Sequence, residues 1–181
     1  MKTKTEFETL YRLNCFTIEV LNRLPEKYKF KHNDAFVKNH IFFIYVISPD
    51  KTRCAIASLN NKIDKISDDA LKGAIAHELA HFWIQQDEQV YNDYWKVAPI
   101  YNKVMALFNK GKIKEAKILK KKGDKILKNK RINRNFNEYI RVEHKTDNFA
   151  SEKFGFKKEI KAMKKVVEED FTEISLRFFP Y

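Results

Sequence analysis

Apolar positions recur along the chain with two periods, and the changes between them mark out elements. Phe7, Leu10, Leu13, Thr17, Leu21 and Leu24 approximate one helical face, and Pro25 closes it, so a helix is predicted over 5–24. Residues 28–32 offer a short strand. The run H-I-F-F-I-Y-V-I at 40–47 is β-branched and aromatic and predicts a buried strand. Ser48-Pro49-Asp50-Lys51 has the chemistry of a tight turn, after which R-C-A-I-A-S-L at 53–59 returns as a second strand. Ser67 then opens a helix, its hydroxyl suited to accept from free N–H groups, with Asp68 and Asp69 at the positive end of the helix dipole. Leu71, Ala74, Ile75, Leu79 and Phe82 form that helix's core stripe. Ala70, Gly73, His77 and His81 follow a neighbouring line, where small residues leave room for a cleft.

Beyond it, Trp83 to Trp95 reads as a polar, aromatic loop whose acids are Asp87, Glu88 and Asp93. Residues 98–109 and 112–128 read as a helical hairpin joined near Asn109-Lys110-Gly111. Tyr139, Ile140, Val142, Phe149, Ala150 and Phe154 give a further helix that Gly155 ends. A last amphipathic helix is expected over 157–179, through Ile160, Met163, Val167, Phe171, Ile174 and Phe178. A small sheet followed by helices makes the fold class α+β. At 181 residues one domain, 1–181, is the simplest expectation, with the basic hairpin at about 98–130 as part of it.

The candidate chemistry lies at His77-Glu78-Leu79-Ala80-His81, an H-E-x-x-H pattern. Histidines four apart share a helical face, where two imidazoles can hold one metal ion, and the intervening glutamate can reach a water on it. A catalytic zinc takes three protein ligands and keeps one position open. Glu143 is the preferred third ligand. Asp147, four residues on and on the same face, suits a hydrogen bond to the far N–H of a ligand histidine. His144 points about 100° from Glu143, so the two do not act together. The competing structural reading is a pair of core histidines with Glu78 on the surface.

H-E-x-x-H followed about sixty residues later by E-x-x-x-D resembles the gluzincin metallopeptidases, most closely the Ste24 and HtpX type. The resemblance covers about 66–86 and 138–156. The second segment here reads E-H-K-T-D-N-F-A, with Thr146 where that family commonly has Ala. The ImmA/IrrE-like peptidases carry a similar second segment, usually at shorter spacing. The resemblance implies a zincin-like fold and a zinc-dependent endopeptidase acting on a peptide or protein substrate. It implies metal ligands His77, His81 and Glu143, general base Glu78, and Asp147 supporting a ligand. It also implies an edge strand that pairs with extended substrate, for which 53–59 is the candidate. Tyr139, Arg141, His144 and Arg177 are open choices for the donor to the oxyanion.

Charge supplies a rival reading. Of 36 Lys and Arg, 13 lie between Lys103 and Arg134, against only Glu115 and Asp124 among the acids. Such a segment suits an anionic partner or nucleic acid, with the metal site structural or inactive. Lysine dominates and aromatic interleaving stops at Phe108, so a solvated helix face is the preferred reading of the segment. A third reading is a zincin fold held latent by its own terminus. Cys15 and Cys54 form no C-x-x-C pair, the start of the chain does not read as a signal peptide, and no segment approaches bilayer length. A cytoplasmic setting is therefore the expectation.

Overall fold

The structure is a computed structural model that describes the chain apart from residues 1–3, 40, 59–62, 64, 65, 85, 86, 170–175 and 181. The fold is α+β. The chain divides into two compact units, one made of 1–83 and 146–181, the other of 84–145.

The first unit holds a four-stranded antiparallel sheet, β1 (Lys31–Lys38), β2 (Ile41–Ile47), β3 (Arg53–Ser58) and β4 (Leu176–Pro180), in that spatial order. Helix α1 (Lys4–Arg23) precedes it and α2 (Asp68–Ala80) follows it. The last turns of α6 (Lys130–Glu152) and the helix α7 (Lys157–Glu169) complete the unit. Phe42, Ile44 and Val46 on β2 are buried while the residues between them are half-covered, so one face of the sheet meets the core. On the other face Phe36 stacks against Phe43 and Tyr45, which explains why β2 is apolar at every position. Leu13 and Val20 of α1, Leu71, Ile75 and Leu79 of α2, and Phe156 and Ile160 near the start of α7 join the same core.

Five expectations for the first unit need correction. Residues 28–32 are not a strand; a 3-10 turn at Glu26–Tyr28 leads into β1 at Lys31. Phe7 stands off the buried line of α1 and is 64% exposed, because Leu13, Thr17 and Val20 define the inward face. The segment 53–59 forms a strand as far as Ser58, but not an edge. β4 pairs along it from Cys54↔Pro180 to Ser58↔Leu176, so the sheet's outer strands are β1 and β4. The last helix ends at Glu169, and the chain re-enters the sheet as β4 instead of continuing helical to 179. Phe171 and Ile174 lie outside the described residues, as do the side chains of Val167, Arg177 and Phe178.

Gly73 is the fifth. A Cβ there would stand 2.2 Å from the carbonyl oxygen of Glu159. The absent side chain therefore serves the close approach of α7 to α2, not a cleft. Lys158 bonds Asp69 at 2.8 Å across that approach, and Arg23 of α1 bonds Glu159 at 2.5 Å.

The second unit contains α3 (Glu88–Trp95), α4 (Ala98–Asn109), α5 (Ile113–Leu127) and the first four turns of α6. The expected loop before Trp95 is therefore a helix from Glu88, capped by Asp87, whose carboxylate accepts from the N–H groups of Gln89 and Val90. Asp93 is fully buried and bonded by Lys96 at 2.6 Å, Asn135 at 2.9 Å and Arg131 at 3.2 Å. It holds α3 to α6 and belongs to no acidic loop. The hydrogen bond from Lys96 foremost holds its carboxyl below the ordinary carboxylate value. α4 and α5 form the expected hairpin, turned at Gly111 with φ of 72°. Gly123 lies against the Tyr101 ring, and the Tyr101 hydroxyl donates to Asp124 at 2.5 Å.

Candidate metal centre

Ser67 caps α2 as its sequence predicts, accepting from the N–H of Ala70 at 3.3 Å. Arg12 of α1 clamps the same helix start, donating to Asp68 at 2.7 Å and to the Ile63 carbonyl at 2.9 Å. The helix that follows is buried from Ala70 to Ala80 except at Lys72. His77 and Glu78 lie within that covered stretch, so the reading of Glu78 as a surface residue does not hold. A buried polar group is costly unless it is bonded, so their placement requires partners.

Helix α6 supplies the partner of His77. Asp147 is buried, and its Oδ1 lies 2.7 Å from His77 Nδ1. A carboxylate can only accept, so the proton in that bond sits on His77 Nδ1, and the neutral imidazole would then present a bare Nε2. Burial works to raise the Asp147 pKa. The hydrogen bond and charge of His77, joined by Lys164 at 3.0 Å, outweigh it and hold the carboxyl below its usual value. Thr146, fully buried, places its hydroxyl oxygen 3.4 Å from His81 Nδ1. Adjacent residues of one helix thus bear on both imidazoles.

The two Nε2 atoms face each other at 3.1 Å. With a neutral His77, two arrangements satisfy this contact. In one, His81 carries its proton on Nε2 and donates it to His77. In the other, the His81 proton sits on Nδ1 beside Thr146, and two lone pairs converge. The second arrangement suits an ion. Two nitrogens ~2.05 Å from a shared tetrahedral centre stand about 3.3 Å apart. The rings are nearly perpendicular, 85° between planes, so each can direct its own lone pair. One carboxylate oxygen of Glu78 joins the two histidines, with all three ligand atoms within 4.8 Å of one another. This His77–Glu78–His81 group could hold a metal ion.

Glu143 lies in the second unit, on α6, one turn before Asp147. Its negative charge adds to burial in raising the pKa of the Tyr94 phenol, which stacks on Tyr139 with centroids 3.7 Å apart. Of the four candidate oxyanion donors, Tyr139 is engaged in that stack, Arg141 bonds Glu138 at 2.7 Å, His144 is exposed, and the Arg177 side chain lies outside the described residues. Thr146 and Lys164 escaped the sequence reading as supports of the site. The first was visible only as a departure from a motif, and the second is one lysine among many on α7.

No protein-family model, curated protein or solved structure matches the chain. Among the described residues no helix is long and apolar enough to cross a membrane.

Proposed function

We propose that the chain is a zinc-dependent endopeptidase of gluzincin type on a zincin-like fold. The observation that carries the reading is the convergence of two helix-borne Nε2 atoms at 3.1 Å, with a buried carboxylate bonded to the far nitrogen of His77. The donor chemistry fits zinc, which favours imidazole and carboxylate ligands. His77 and His81 would hold the ion. Glu143 is proposed as the third ligand on sequence grounds, from its place four residues before Asp147. A bound zinc would supply Lewis acidity and make water a stronger acid.

The remaining chemistry belongs to the chain. Glu78 is buried beside the two imidazoles, where its carboxylate can take a proton from an attacking water and pass it to the leaving amine. Asp147 orients His77 and strengthens it as a donor. Glu78→Gln tests the assignment. Hydrolysis of an unstructured peptide should fall at least 1,000-fold while zinc content stays at the wild-type level. Equal cleavage by both proteins would remove Glu78 from the base role.

One observation favours a latent form of the same enzyme. β4 pairs with the β3 edge that the resemblance would reserve for extended substrate, and it packs beside α2. A chain truncated after Glu169 should then cleave peptides faster than the full chain. Unchanged or lower activity of a folded truncation would count against latency.

A further inference from the structure

Three helices close a loop around His77. It projects from α2, its Nδ1 meets Asp147 on α6, and the other oxygen of Asp147 is taken by Lys164 on α7. We infer that Lys164 is a positioning residue for His77, acting through Asp147, and that it sets how tightly the site holds a divalent metal ion. This rests on the metal reading above.

A carboxylate bonded at one oxygen still turns about its terminal bond, and the imidazole turns with it. Lys164 Nζ at 3.0 Å from Oδ2, opposite His77 Nδ1 at 2.7 Å from Oδ1, removes that freedom. Lys164 can do so because α7 is itself fixed. The backbone of Glu159 lies where a Gly73 side chain would be, Lys158 bonds Asp69, and Arg23 bonds Glu159. From Glu159 to Lys164 is about one and a half turns of helix. The contact that needs Gly73 thus sets the reach of Lys164. The lysine side chain is 41% exposed, so its replacement leaves no buried void, whereas Asp147 is largely covered.

The test measures zinc affinity of the full chain by competition with a chromogenic chelator, beside the melting temperature of the metal-free protein. Groups that orient metal ligands typically change affinity 10- to 100-fold, and a residue one step further out should change it less. Lys164→Met should weaken zinc about 5- to 10-fold while the metal-free melting temperature falls by no more than about 4 °C, the small loss expected of a half-exposed ion pair. Lys164→Arg, which keeps a cation within reach of Oδ2, should recover affinity to within about twofold. Asp147→Asn should lose more than either. Wild-type affinity in Lys164→Met would overturn the inference and leave the metal site standing. So would equal loss in the Met and Arg variants, or a loss matched by a larger fall in the metal-free melting temperature. A wild-type chain that binds no zinc would remove the site itself, which is a different failure.

Discussion

Helices α2 and α5 are of similar length, 13 and 15 residues, and treat their polar groups in opposite ways. In α2 almost every position is buried, including a histidine and a glutamate. In α5 only Ala116 and Gly123 are buried, and the lysines stand in water. An exposed lysine costs the fold almost nothing, so its presence carries little information about function. A buried imidazole or carboxylate left unbonded costs about 1–3 kcal/mol or more, and His77 on α2 is matched by Asp147, seventy residues on.

The sharpest way to break this contrast is to alter each helix and follow one readout. His77→Ala or His81→Ala should weaken zinc at least 100-fold. Replacing Lys114, Lys117 and Lys121 by Gln should leave it unchanged in the same chelator competition. If the lysine variant lost zinc as the histidine variants do, the contrast would fail. Next in size is packing. Gly73→Ala in an open helix would be favourable by about 1 kcal/mol. Against the Glu159 carbonyl it should instead destabilise by about 1–3 kcal/mol in urea unfolding.

Acid should act on the first unit through Asp147. Its folded pKa lies below the unfolded value, so the stability it contributes is present above the ordinary carboxylate pKa, about 4, and is lost as pH falls through the depressed one. Asp147→Asn should flatten the dependence of metal-free stability on pH in that acid range. A wild-type slope in the variant would contradict the assignment. Thiol accessibility follows. Burial, with some help from the charge of Asp50, pushes the Cys54 thiol up to about 11, while Cys15 is exposed. A thiol reagent at pH 8 should titrate one cysteine in the native chain and two in denaturant.

The smallest effect belongs to α5. The three-lysine variant should change stability by no more than about 0.5 kcal/mol. A salt-sensitive shift of DNA by the wild type at low salt, lost in this variant, would instead favour the nucleic-acid reading.

What could be read from the sequence follows how local the cause is. The cap at Ser67, the hairpin turn at Gly111 and the helix end at Gly155 each depend on a few adjacent residues, and each stands where it was expected. The spacing of His77 and His81 likewise needs only one helix. The errors share a different cause. β3 is interior because a strand more than a hundred residues away pairs with it. Gly73 is small because α7 arrives there. Thr146 and Lys164 acquire meaning only when three helices meet. Asp87 is the exception. Its capping signal was local, but the polar, aromatic composition of the segment concealed a helix.

X-ray absorption at the zinc edge of the purified, zinc-loaded chain addresses the central claim most directly. One equivalent of zinc with two imidazole nitrogens near 2.0–2.1 Å, falling to one imidazole in any metal retained by His81→Ala, is the expected result. A spectrum without imidazole scattering, or a chain that binds no zinc, would mean that the two nitrogens share only a proton.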